Sequence, residues 1–130
     1  MKNIRLALGL LCLMAGTAMA QDDKVTPLMS KDLVGLPGKE VLMATVDYPP
    51  GGSTPIHRHN AQVFVYVLEG SIVLQVKGEK EVTLTPGGTF YEAPDDVHLI
   101  SRNASTTKPA KFVVFIVKDK GAPVLVPVSN

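Results

Sequence analysis

Tryptophan is absent from this 130-residue sequence, aromatic residues amount to 5%, and cysteine occurs once, at position 12. So few aromatics supply no platform on which single-stranded bases could stack. The formal net charge is +1 with signs scattered along the chain, so the basic stripe of a nucleic-acid binder is missing too. The most apolar stretch, Leu6–Met14, falls far short of the ~20 residues that a membrane-spanning helix needs. No segment beyond residue 20 keeps a 3.6-residue apolar period, which argues against a helical bundle. Glycine and proline are plentiful instead, at 11 and 10 residues, and most of them separate short β-branched runs.

Residues 1–20 follow the three-part pattern of an export signal: Lys2 and Arg5, then the Leu-rich core, then Ala18-Met19-Ala20 as a small-residue cleavage site. Cys12 lies inside this segment behind Leu10-Leu11, without the small residues that precede a lipid-anchored cysteine. Its removal takes two of the 13 basic residues and none of the 12 acidic ones, leaving 110 residues with a net charge of −1. The expected mature domain, residues 21–130, carries no thiol. It therefore depends on no disulfide and suits an oxidising compartment, either the periplasm or the outside of the cell. No membrane span is expected once the signal is cleaved.

Alternating and short apolar runs then place strands at Lys39–Tyr48, Gln62–Leu68, Ile72–Lys77, Glu81–Thr85, Thr89–Glu92, Val97–Arg102 and Lys111–Lys118. Pro49-Pro50-Gly51-Gly52, Glu69-Gly70, Pro86-Gly87-Gly88 and Pro94-Asp95-Asp96 are the turns between them. Many short strands with close turns make an all-β sandwich or barrel. Val63–Leu68 is apolar on both faces, and Val25–Leu36 has no evident place in a small closed barrel. A homodimer is expected, with the N-terminal segment on the partner's sheet and the outer face of Val63–Leu68 covered.

All three histidines fall in the mature domain. His57 and His59 are two apart, so on a strand their rings share a face and can offer two nitrogens to one ion. Exposed loop histidines are the plain alternative. The surroundings decide between them. GGSTPIHRHNAQVFVYVLEG, Gly51 to Gly70, and GGTFYEAPDDVHLISRN, Gly87 to Asn103, resemble the two conserved motifs of the cupin family. The intervening Ser71–Pro86 has the short length seen in bacterial members. The resemblance implies a small jelly-roll β-barrel, often dimeric, with a metal inside, and it aligns His57, His59 and His98 with the family's histidine ligands.

The departures from the pattern are specific. Val63 stands where the family places a metal-binding glutamate, and an apolar side chain cannot ligate. Gln62 next door would reach inward only through a bulge. Glu92 alternates with Phe90 on its strand, so its carboxylate either enters the barrel or turns to solvent at the strand end. Tyr66 and Tyr91 read as packed aromatics, Arg58 as a rim charge, and Met43 as part of an apolar lining.

The expected protein is an exported cupin holding one divalent metal (Fe, Zn, Cu, Ni or Mn) on three histidines beside a small apolar pocket. Soft sulfur ligands are missing, and three imidazoles do not choose among these metals. The resemblance implies dioxygenase, isomerase or lyase chemistry on a small organic molecule, with Glu92 or Gln62 orienting the substrate or moving a proton. The rival expectation is a non-catalytic binding or metal-buffering protein of the envelope, since folds do not dictate function. Export has a direct check: the native chain should begin at Gln21 by intact mass. A soluble cytoplasmic pool that keeps Met1 would contradict it.

Overall fold

A computed structural model describes residues 22–129, so the expected export segment, including Cys12, lies outside the described residues. Ten strands follow in order: β1 Lys24–Asp32, β2 Lys39–Tyr48, β3 His57–Arg58, β4 Gln62–Glu69, β5 Ile72–Val76, β6 Val82–Leu84, β7 Thr89–Glu92, β8 Val97–Asn103, β9 Ala110–Asp119 and β10 Val126–Pro127. They form two five-stranded antiparallel sheets, β1-β2-β9-β4-β7 and β10-β3-β8-β5-β6. This is the all-β jelly roll that the strand pattern and the motifs imply. Among the described residues no helix is long and apolar enough to cross a membrane.

Two-residue alternation builds the interior. Val63, Val65 and Val67 of β4 are almost wholly buried, as are Phe112, Val114 and Ile116 of β9 and Ala44 and Val46 of β2. Each buried valine, isoleucine or phenylalanine stabilises the barrel by about 1.5–3 kcal/mol. Because the three strands pair in register, the inward side chains form rungs. One rung runs Leu42, Ile116, Val63 and ends on Glu92. Lys118 closes one end of the interior by donating to the Glu40 carboxylate and to the backbone carbonyl of Ala122 (2.8 Å). The same bond from Lys118 holds the Glu40 carboxyl below the usual carboxylate range.

Two segments depart from the sequence reading. Residues 25–36 do not need a partner's sheet for their pairing: Lys24–Asp32 runs antiparallel to β2 of its own chain as an edge strand, from Lys24 opposite Asp47 to Asp32 opposite Glu40. It escaped notice because nearly every one of its side chains is exposed, which leaves no apolar alternation to read. The tail also contributes a strand, since β10 pairs with β3 through Val126–Arg58 and Pro127–His57.

β8 contains the irregularity that matters most for the site. Opposite β5, Val76 faces His98 while Gln75 faces Ile100, so Leu99 is an extra residue in the ladder. Such a bulge resets the alternation. Both His98 and Ser101, an odd number of residues apart, are consequently buried, while Leu99 is exposed.

The turn between β4 and β5 depends on Gly70. Its φ is +66°, and an added Cβ would lie 2.4 Å from the Pro109 carbonyl oxygen and 2.8 Å from Ala110 Cα. Gly78 also has a positive φ, +88°, but nothing lies within 4 Å of its missing Cβ. Gly70→Ala should therefore cost on the order of 2–4 kcal/mol, from left-handed strain plus a backbone clash, and Gly78→Ala only about 1 kcal/mol. Urea midpoints at unchanged slope would measure both. Equal costs would mean that the β4–β5 turn yields easily.

Candidate metal and ligand site

The antiparallel pairing of β3 with β8 sets His57 directly opposite His98. Their rings lie 5.0 Å apart, centre to centre, and nearly parallel at 14°. His59, one residue beyond β3, brings its ring to 4.9 Å from His57 and 5.9 Å from His98. Glu92 arrives from the other sheet, where it is the cross-strand partner of Val63. Its Oε2 is 3.1 Å from His98 Nε2 and 3.4 Å from His59 Nε2. The carboxyl nearest the three rings thus comes from the strand beside Val63, on the same rung.

The tautomers follow from backbone contacts. His57 Nδ1 bonds the Pro55 carbonyl oxygen at 2.8 Å, and His59 Nδ1 bonds the Val124 carbonyl oxygen. A carbonyl can only accept, so both Nδ1 atoms carry a proton, and in the neutral ring Nε2 is the nitrogen that keeps a lone pair. Burial holds the His57 imidazole below its usual titration range, against the opposing pull of the Pro55 carbonyl, and so favours the neutral ring. His98 Nδ1, His98 Nε2 and Glu92 Oε2 are buried without any hydrogen-bond partner. Orphaned polar atoms in an apolar interior are costly, and three together need a common explanation.

A divalent cation fits this donor set: three imidazole nitrogens and one carboxylate oxygen, with backbone carbonyls orienting two of the rings. The fit is one of chemistry, not of finished geometry. Among the described residues no three His, Cys, Asp or Glu side chains are already assembled to hold an ion. The stacking of His57 on His98 accounts for this. Lone pairs in two separate near-parallel ring planes do not meet at one point, so one ring must rotate before both can serve the same ion.

His57, His59 and Glu92 line a cavity of about 410 Å³ inside the barrel, walled by Val46, Val63, Val65, Leu74, Phe112, Val114 and Ile116 among others. Gln62 is not part of it. No bulge intervenes between Gln62 and Val67 in the pairing with β9, so alternation turns Gln62 to the exposed outer face. There it accepts from the Tyr91 hydroxyl at 3.4 Å. Asn103 closes the second motif but is structural: buried, it donates to the carbonyls of Pro49 (3.0 Å) and Lys108 (2.7 Å) and accepts from Ser105 N (2.9 Å).

The sequence reading missed a second polar group on the cavity wall. Tyr48, Thr54, Ser101 and Asp23 all line it. The Tyr48 hydroxyl lies 2.6 Å from Thr54 Oγ1 and 2.8 Å from Ser101 Oγ, and Thr54 donates to Asp23 Oδ2 at 2.8 Å. The four residues are scattered along the chain, and only the inward parity of Tyr48 at the end of β2 hinted at any of them.

Comparison with known proteins agrees with this architecture. The family model described as "Cupin domain" matches residues 44–116. No curated protein sequence matches the chain. Among solved structures, a cupin domain from Bordetella pertussis is 24% identical at a TM-score of 0.60, covering 77% of this chain and 97% of that one. A recombinant oxalate oxidase in complex with glycolate is 27% identical at a TM-score of 0.60, covering 81% of this chain. The DMSP lyase DddQ from Ruegeria pomeroyi is 22% identical at a TM-score of 0.59, covering 67% of this chain. This chain spans only 54% of that oxidase and 42% of that lyase. With more than half of its length matched by the family model and the jelly roll in place, the chain belongs to the cupin domain family.

Proposed function

We propose that this chain is an exported cupin that binds one divalent transition metal (Fe, Zn, Cu, Ni or Mn) on His57, His59 and His98, with Glu92 as the fourth donor. A small organic molecule would occupy the adjoining cavity. The observation that carries this reading is the set of orphaned donor atoms on His98 and Glu92, packed against two further rings whose Nε2 lone pairs are free. The likeness to an oxalate oxidase in complex with glycolate supports a small-molecule occupant. Export to the periplasm or medium rests on residues 1–20 alone.

When bound, the metal would act as a Lewis acid toward an oxygen of the occupant. The residues of this chain have their own tasks. The Pro55 and Val124 carbonyls hold the rings of His57 and His59 in the tautomer that offers Nε2. Glu92 brings negative charge that offsets part of a divalent ion's charge in a dry interior, and its second oxygen can hold or move a proton. The valines, Phe112 and Ile116 exclude water. Such a centre would support oxygenase, isomerase or lyase chemistry. The unassembled ring geometry and the valine at position 63 favour a second reading, a binding or metal-buffering protein of the envelope without turnover.

Metal analysis of the purified protein tests the site. His57→Ala, His59→Ala and His98→Ala should each retain roughly a tenth or less of the wild-type metal while the barrel stays folded. Glu92→Ala should lose metal as completely as His98→Ala. Full retention in Glu92→Ala would remove it from the ligand set, and full retention in the triple-histidine variant would end the metal reading. Oxygen uptake with small phenolic or dicarbonyl compounds then separates an oxygenase from the buffer, and product analysis of the same mixtures detects an isomerase or lyase.

The homodimer belongs to the same reading. On the outer face of the β1-β2-β9-β4-β7 sheet, Met29, Met43, Phe115, Phe64 and Tyr91 form one rung across all five strands. Phe64, Tyr66, Tyr91 and Phe115 are 40–49% exposed. An uncharged patch of this kind is self-complementary, which suits a two-fold pairing of identical chains. Light scattering at micromolar concentration should give twice the chain mass, and Phe64→Asp should give a monomer. A wild-type monomer would leave this face to some other partner.

A further inference from the structure

The hydroxyl chain on the cavity wall has a direction. An ionised carboxylate only accepts, so the single Thr54 proton goes to Asp23. The Tyr48 hydroxyl must then donate to Thr54, and the Ser101 hydroxyl to Tyr48. Burial pushes the Tyr48 phenol up to about 12, so its proton is present at any ordinary pH. Every proton in the chain is committed toward Asp23, and only lone pairs remain for an occupant. At the other end of the cavity the Nδ1 protons of His57 and His59 likewise go to backbone carbonyls, and the Glu92 carboxyl group lies beside the rings. No lysine, arginine, asparagine, glutamine or tryptophan lines the cavity among the described residues.

We infer that the Asp23–Thr54–Tyr48–Ser101 wall is a recognition site for a hydrogen-bond donor, and that the cavity selects a small, apolar, uncharged molecule bearing a hydroxyl group. A carboxylate or phosphate directed at this wall would meet lone pairs and a negative charge with no cation to pair it. A hydroxyl would donate to Ser101 Oγ or to the free oxygen of Asp23 while its carbon skeleton covers the valines and Phe112. This occupant is read from the same cavity as the metal site, yet its recognition uses none of the metal-site residues.

The test uses cyclohexanol, methoxycyclohexane and cyclohexanecarboxylate as probes, titrated calorimetrically into the full purified chain before and after chelator treatment. One hydrogen bond separates the first two, so cyclohexanol should bind about tenfold more tightly than its methyl ether. The carboxylate should bind more weakly than either to the chelated protein. Asp23→Asn places an N–H donor at the end of the chain, allows the chain to reverse, and should reduce the preference for the alcohol to within about twofold. Tyr48→Phe, which releases the Ser101 proton, should do the same. If Tyr48→Phe fails to fold, Asp23→Asn decides alone, because Asp23 lies at the edge of the cavity. Equal binding of alcohol and ether, tightest binding of the carboxylate to the chelated protein, no binding at all, or an undiminished preference in Asp23→Asn would each overturn the inference. A preference for the alcohol that disappears with the metal would overturn it while sparing the metal site. A preference that persists in a protein that never holds metal would do the reverse.

Discussion

A carboxyl group buried in an apolar barrel needs a cation, a proton or a ring of donors, and what the described residues place against Glu92 Oε2 is the Nε2 atoms of His98 and His59, at 3.1 and 3.4 Å. The carboxyl is placed there by register alone: β7 pairs with β4 so that Glu92 is the last inward residue on the rung shared with Leu42, Ile116 and Val63. Shifting β7 by one residue would turn Glu92 to solvent and put Tyr91 in its place. The apolar strands hold that register, and with it they hold the carboxyl against His59 and His98. The hydrophobic core therefore does more than stabilise the barrel, since it maintains an electrostatic demand at its centre that an ion can meet.

With Glu92 as the proposed fourth donor, the valine at position 63 becomes intelligible on the same rung. Directly opposed residues in an antiparallel pair have Cβ atoms about 4.5–5.5 Å apart. A carboxylate moved from β4 to β7 crosses that distance and still reaches the histidines, because a glutamate side chain is long enough to span it. The histidines, by contrast, cannot be moved in this way. His57 and His98 are opposite each other on the second sheet, and the ring of His59 depends on a carbonyl of the C-terminal segment.

How much of this could be read from the residues differs from element to element. β2, β4 and β9 were legible because their inward faces are continuous and their turns are marked, and the histidine pair was legible because both residues lie within one motif. The choice between Gln62 and Glu92 was not. It turns on whether β4 contains a bulge ahead of Val67, and local sequence does not report pairing irregularities. The bulge that does matter, at Leu99, has no sequence mark either, yet it brings Ser101 to the same side as His98. β1 was invisible because an exposed edge strand obeys no burial pattern. The Asp23–Thr54–Tyr48–Ser101 wall was invisible because its members meet only after both sheets have closed.

Both ends of the cavity carry a carboxyl group, Asp23 at one and Glu92 at the other, and an ion held at either would make them unlike. A divalent cation on the three histidines and Glu92 would reverse the sign at that end and leave Asp23 negative at the other. An occupant would then lie in a field directed along the cavity, with its electron-rich atom toward the histidines and its donor toward Asp23. Molecules with an acceptor and a hydroxyl on one short apolar skeleton satisfy both ends at once. Those with two anionic ends satisfy only one, so the ionic state of the histidine end and the direction of the hydroxyl chain together define the orientation in which a substrate can enter.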